Sequence, residues 1–149
     1  MKECVLCSRH TDEVVLYIHD NWRVLLVEDA DYPGFCRVVW SDHVSEMTDL
    51  SPTDRAELMQ VVWLVEETIR KVMQPDKINL ASLGNMVPHL HWHIIPRYAN
   101  DRNFPDSVWS AAKRKPDEKD RLIRKDRISE LKKTLSVILE RQYGLSRKP

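Results

Sequence analysis

The sequence predicts an α+β fold: a mainly antiparallel sheet of about five strands with one long central helix and a C-terminal helix. Three observations carry this. Short strand-like runs open the chain, a long amphipathic stretch bounded by Ser51-Pro52 and Pro75 interrupts them, and two more strand-like runs precede a second helical pattern. Strands, helix, strands, helix is the order of an α+β domain rather than of alternating parallel units. At 149 residues the chain is read as a single domain over 1–149, with a core at about 4–110 and a helical extension at about 116–143.

Val14–Ile18 and Trp22–Glu28 read as two strands joined by a turn at His19-Asp20-Asn21. Pro33-Gly34 marks the next turn, Phe35–Trp40 a third strand, and Ser41-Asp42-His43 leads out of it. Ser51 followed by Pro52 supplies a capping hydroxyl and a proline at the first helical position, with Asp54 and Glu57 near the positive end of the helix dipole. The helix is expected to run to about Met73, because Pro75 stops it. Its stripe is Leu58, Val62, Val65, Ile69 and Val72. Met59, Val61, Trp63 and Leu64 are apolar as well, more than one stripe needs, which points to a homodimer through helix 51–73 or to a monomer with a thick core. Lys77–Ser82 is a fourth strand, Leu83-Gly84-Asn85 a turn, and Val87–Pro96 a fifth strand. Pro116-Asp117 opens the C-terminal helix, whose stripe is Ile128, Leu131, Leu135 and Ile138 and which Gly144 ends.

Composition excludes several classes. The 23 basic and 23 acidic residues cancel, so no global field favours a nucleic acid polymer or an anionic membrane. Basic residues outnumber acidic ones by about two to one between Lys113 and Lys133, which fits a solvated helix face or a weak anion-holding surface. There is no membrane-length apolar run, and Met1-Lys2-Glu3-Cys4 does not read as a signal peptide, so a cytoplasmic protein is expected. Three cysteines make no disulfide framework and suit a reducing compartment.

The most informative segment is His89-Leu90-His91-Trp92-His93-Ile94-Ile95-Pro96. On a strand, the three imidazoles share one face at spacings of about 6–7 Å, while Leu90, Trp92 and Ile94 point into a core. Three explanations compete. The rings are structural, each satisfied by a hydrogen bond. Or two of them ligate a catalytic ion, since the outer pair, about 13 Å apart, cannot share one shell with the middle ring. Or the central ring attacks phosphorus, because imidazole is both a nucleophile at neutral pH and a good leaving group once phosphorylated. The last needs donors for the phosphate oxygens, which Gly84-Asn85 just upstream and Asn79 one strand earlier can supply.

His89-x-His91-x-His93 followed by Ile94-Ile95 resembles the signature of the histidine triad (HIT) family of nucleotide hydrolases and transferases. The run from Asn79 to His89 looks like a bacterial subgroup described as dinucleoside-polyphosphate-hydrolase-like. The resemblance spans roughly Cys4 to Pro96 and implies a HIT-like fold, usually dimerised through the long helix. It implies hydrolysis or nucleotidyl transfer at the α-phosphorus of dinucleoside polyphosphates or nucleoside phosphoramidates. His91 would be the nucleophile, His93 the phosphate contact that assists the leaving group, and Asn79, Gly84 and Asn85 further contacts. Phe35 stands where many members carry another histidine, and Met86 where many carry serine or threonine. With those two polar groups gone, a nucleotide-binding regulator of weak activity is the alternative, and a zinc-dependent metallohydrolase a third.

Cys4-x-x-Cys7 is half of a zinc site, and His43 and His89 can complete a Cys₂His₂ set. Some members of the resembled family hold such a structural zinc, with the first triad histidine as a ligand. The opposing expectation is two unliganded thiols on a loose arm. Cys36 reads as a packing residue, His10 and His19 as surface histidines, and Trp109 as a stacking surface for a base or a packing residue.

Overall fold

The computed structural model describes residues 4–8 and 13–148. Its elements are β1 (Val14–Ile18), β2 (Trp22–Leu26), β3 (Cys36–Trp40), a 3₁₀ turn (Met47–Asp49), α1 (Pro52–Met73), β4 (Lys77–Ala81), β5 (His91–Arg97), α2 (Glu118–Asp126) and α3 (Ile128–Tyr143). One five-stranded sheet runs in the order β1-β2-β3-β5-β4, antiparallel throughout. The α+β architecture expected from the sequence is therefore present. Among the described residues no helix is long and apolar enough to cross a membrane.

α1 begins where local chemistry dictates. The Ser51 hydroxyl accepts from the Asp54 N–H (3.1 Å), Pro52 occupies the first turn, and Gln74 ends the helix in the left-handed region at φ 51° just before Pro75. α1 and α3 cover one face of the sheet, burying Leu58, Val62, Val65 and Ile69 with Leu131, Leu135 and Leu139 against Val24, Val38 and Ile94. Gly34, at φ 90°, lets the β2–β3 connection run close under α1: a Cβ there would sit 3.0 Å from Met73 Cγ and Cε.

Several expectations need correction. β3 begins at Cys36 rather than Phe35, and β4 ends at Ala81 rather than Ser82. β2 ends at Leu26 rather than Glu28. β5 begins at His91 rather than Val87, because the His89 N–H turns back to the Val87 carbonyl (2.8 Å) and the Leu90 N–H goes to Val44 (2.7 Å), outside the ladder with β3. The C-terminal helix is two helices broken at Arg127, whose guanidinium donates to the Met73 carbonyl at the end of α1 (2.9 Å). In α3 Leu139, not Ile138, completes the buried stripe; in α1 Val61 and Met73 join it while Val72 is half-buried. Of the surplus apolar residues on α1, Val61 is fully buried and Met59 and Leu64 pack against the same core. Only Trp63, 50% exposed, stands clear of it.

Candidate active site and metal centre

The face of the sheet away from α1 carries the chemistry. On β5 the alternation sends Trp92 and Ile94 to the core and His91, His93, Ile95 and Arg97 to the other side. Across the ladder His91 is opposite Val39 and His93 opposite Arg37. The two rings lie 4.8 Å apart, centroid to centroid, at 75°. His89, expected in the same row, precedes the strand and its ring joins a different group, so the face carries two of the row's three histidines.

Each of the two rings has an assignable proton. His91 Nδ1–H donates to the His89 carbonyl (2.6 Å), which leaves Nε2 with a free lone pair. Arg37 Nε–H donates to His93 Nδ1 (3.4 Å), so the proton of neutral His93 sits on Nε2. Desolvation, opposed in part by the bond to the His89 carbonyl, pulls His91 below the ordinary imidazole value. His93 falls to about 3, chiefly through burial, with the His91 and Arg37 charges adding to it. Both are neutral at physiological pH. His91 keeps 8% of its surface open to solvent.

Aromatic rings close over His93: Phe35 lies 5.6 Å from it and Trp109 5.1 Å, the latter half-exposed. Trp109 is carried by a loop that a buried ion pair organises. Arg97 Nε–H donates to Asp101 (2.7 Å) and its Nη2 to the Asp106 carbonyl (2.7 Å), while Asp101 also accepts from the N–H groups of Tyr98, Asn103 and Phe104. Arg97 also donates to Asn79 Oδ1 (2.7 Å), so the acceptor end of Asn79 is committed to the scaffold and its amide N–H₂ is the end left for a ligand. Gly84, at φ 75°, and exposed Asn85 lie in the loop before the histidines, where the Ser82 hydroxyl donates to the His91 carbonyl (3.0 Å). Met86 projects fully into solvent.

Cys4, Cys7, His43 and His89 meet beside this face, their ligand atoms all within 4.8 Å of one another. Cys4 Sγ and Cys7 Sγ lie 3.5 and 3.4 Å from His89 Nδ1, Cys7 Sγ 3.3 Å from His43 Nδ1, and the two Nδ1 atoms 3.3 Å apart. A tetrahedral zinc with bonds of about 2.0–2.3 Å sets its donor atoms about 3.3–3.8 Å apart, so the set fits that ion. The other nitrogen of His89 donates to the Trp40 carbonyl (2.7 Å), an outer contact that orients a metal-binding imidazole. Burial holds His89 below its ordinary value, toward the neutral form a metal requires. Four protein donors leave no open coordination position, which suits a structural ion rather than a catalytic one.

Cys36 is fully buried, its thiol pushed up to about 12 by desolvation, in keeping with a packing residue. His19 is not a loose surface group: it stacks on Trp22 at 4.7 Å and pairs with Glu57. His10 lies outside the described residues. Sequence reasoning missed Arg37 and the Arg97–Asp101 pair. The signal for Arg37 was a cation in the middle of an apolar strand, at a position that alternates away from Cys36 and Val38.

A HIT domain model matches residues 8–100. The chain is 35% identical over 78 residues to an AP-4-A phosphorylase of Mycobacterium tuberculosis (48% of this chain, 40% of the relative). It is 34% identical over 83 residues to an asymmetrical bis(5'-nucleosyl)-tetraphosphatase of Schizosaccharomyces pombe (52% and 46%). The chain thus spans less than half the length of these curated relatives. A histidine triad protein of Bradyrhizobium japonicum superimposes with a TM-score of 0.69 at 29% identity, over 86% of this chain and 97% of the other. A zinc-bound histidine triad family protein of Mycobacterium smegmatis shares the fold at 20% identity and a TM-score of 0.57, over 89% and 97%.

Proposed function

The chain belongs to the HIT domain family, and from that premise we propose that it is a nucleotidyl transferase or hydrolase acting at the α-phosphorus through a covalent nucleotidyl-histidine. One observation carries the reading. The Nδ1–H of His91 is held by the His89 carbonyl, so Nε2 offers a lone pair from a ring that burial keeps neutral. In the first step that lone pair forms the N–P bond, and the bond from phosphorus to the leaving group breaks, its electron pair going to the departing atom. In the second, water attacks phosphorus and gives up a proton to solvent, the P–N bond breaks, and the pair returns to Nε2. The Nε2–H of His93 is the donor to a phosphate or leaving-group oxygen, with Asn79 N–H₂, Gly84 and Asn85 as further contacts. Dinucleoside polyphosphates and nucleoside phosphoramidates are the substrate classes, the first of them in keeping with the names of the curated relatives.

Cys4, Cys7, His43 and His89 would hold a structural zinc. Bound there, it pins the N-terminal arm to the sheet and contributes folding free energy. His89 then fixes its own carbonyl, the acceptor that orients His91. The four-donor set argues against the metallohydrolase alternative. Dimerisation through α1 would cover the exposed ring of Trp63, and three free thiols fit a cytosolic enzyme.

The test is incubation with a panel of adenosine and guanosine polyphosphates and phosphoramidates, with products read by mass. Wild type releases nucleoside monophosphate and His91→Ala does not, while its nucleotide affinity stays within a few-fold. Equal turnover by His91→Ala refutes the mechanism.

A further inference from the structure

The arginines of this sheet face are not alike. Arg23 bonds both carboxylate oxygens of Glu13 (3.0 and 3.2 Å), and Arg97 is held by Asp101. Arg37 has no carboxylate partner among the described residues. Glu13, the acidic group whose charge reaches it, is already engaged by Arg23. Its one hydrogen bond there runs from Nε to His93 Nδ1, and its guanidinium lies 5.8 Å from the centre of the Phe35 ring. Desolvation pulls its pKa below the ordinary value. A half-buried guanidinium whose two terminal nitrogens have no hydrogen bond among the described residues, packed on an aromatic ring beside two histidines, is a fork suited to a planar or tetrahedral anion.

Its place along the ladder says which part of a substrate it meets. Arg37 is opposite His93, whereas the residue opposite His91 is apolar Val39. The cation is therefore displaced from the nucleophile by one side-chain repeat, about 6–7 Å along the strands, toward the ring that serves the leaving side. We propose that Arg37 receives an anionic leaving group, so that the preferred substrates are those whose attacked phosphorus is joined through oxygen to a further phosphate rather than to an amine. This rests on nucleotidyl transfer at His91. When the P–O bond breaks, its electron pair adds a negative charge to the departing phosphate, which the guanidinium meets. A departing amine takes up a proton from solvent, carries no negative charge away, and gains nothing from Arg37.

Diadenosine tetraphosphate and adenosine 5'-phosphoramidate share the adenylyl half and differ in what leaves. Arg37→Met also removes the Nε–H bond to His93 Nδ1, a loss common to both substrates. Beyond that shared loss, kcat/KM for the tetraphosphate should fall about 10- to 150-fold further than for the phosphoramidate, the worth of a hydrogen bond to a charged group. Arg37→Lys, which keeps the charge and loses the fork, should recover part of the tetraphosphate loss alone. Equal losses on both substrates, or none on either, overturn the assignment while leaving nucleotidyl transfer intact. A wild-type chain that turns over neither overturns nucleotidyl transfer and this inference with it. Thermal melts of each variant separate a folding defect from a chemical one.

Discussion

Asp101 is the residue on which the cover of the site depends, and its replacement has a calculable effect. It is 3% exposed and its carboxylate accepts six hydrogen bonds: two from Arg97 (2.7 and 3.1 Å), one each from the N–H groups of Tyr98 (3.1 Å), Asn103 (3.0 Å) and Phe104 (2.7 Å), and a longer one from the Tyr32 hydroxyl (3.4 Å). Burial alone would raise its pKa, but the Arg97 bonds and the backbone donors outweigh it and hold the carboxyl below its ordinary value. Asp101→Ala strands a guanidinium that is 1% exposed, and breaking one side of such a buried pair costs about 3–5 kcal/mol. Arg97→Met combined with Asp101→Leu removes both charges and should cost markedly less than Asp101→Ala alone. Urea titrations read by tryptophan fluorescence measure both, and the slope with denaturant shows whether two-state unfolding persists. Because the folded pKa lies below the unfolded one, this stabilisation is present above the unfolded value near 3.8 and is lost as pH falls through the folded value. A loss under 1 kcal/mol for Asp101→Ala, or a double variant as damaged as the single, would refute the reasoning.

Zinc analysis of the purified protein should find about one ion per chain, and Cys4→Ser should reduce it and lower Tm by several degrees, at about 2–4 °C per kcal/mol for a chain of this size. His93 lies at about 3 when folded and near 6.5 when unfolded, so it contributes stability that is complete above 6.5 and declines as pH falls toward 3; a melting series across that window checks it. Since the attacking form of His91 is the neutral ring and its folded pKa is depressed, the acid limb of kcat/KM should fall below pH 6.5; half-activity at or above 6.5 would contradict this. Sedimentation should give a species of twice the 17.6 kDa chain mass, and Trp63→Glu should shift it toward one chain.

The strands, the long helix and the two histidines that share the sheet face were legible because each rests on a short-range pattern: alternation at His91 and His93, and a capping serine with proline at Ser51-Pro52. His89 was legible as a ligand candidate but not as a departure from the row. Its backbone leaves the ladder through bonds to Val87 and Val44, the second of these far away in sequence. The break at Arg127 was equally hidden, being set by a bond to Met73 across the helix packing. Arg37 needed the β3–β5 register, and the surplus apolar residues of α1 needed the tertiary core, to show that Val61, Met59 and Leu64 serve this chain's own interior.

The central claim is a bond between His91 and phosphorus. Rapid-quench single turnover with a dinucleoside polyphosphate, followed by peptide mapping under alkaline conditions that preserve phosphohistidine, tests it directly. A nucleotidyl group on the peptide containing His91, forming and decaying at rates competent for turnover and absent from His91→Ala, is the predicted result. Turnover at the same rate with no adduct at any time point would contradict it.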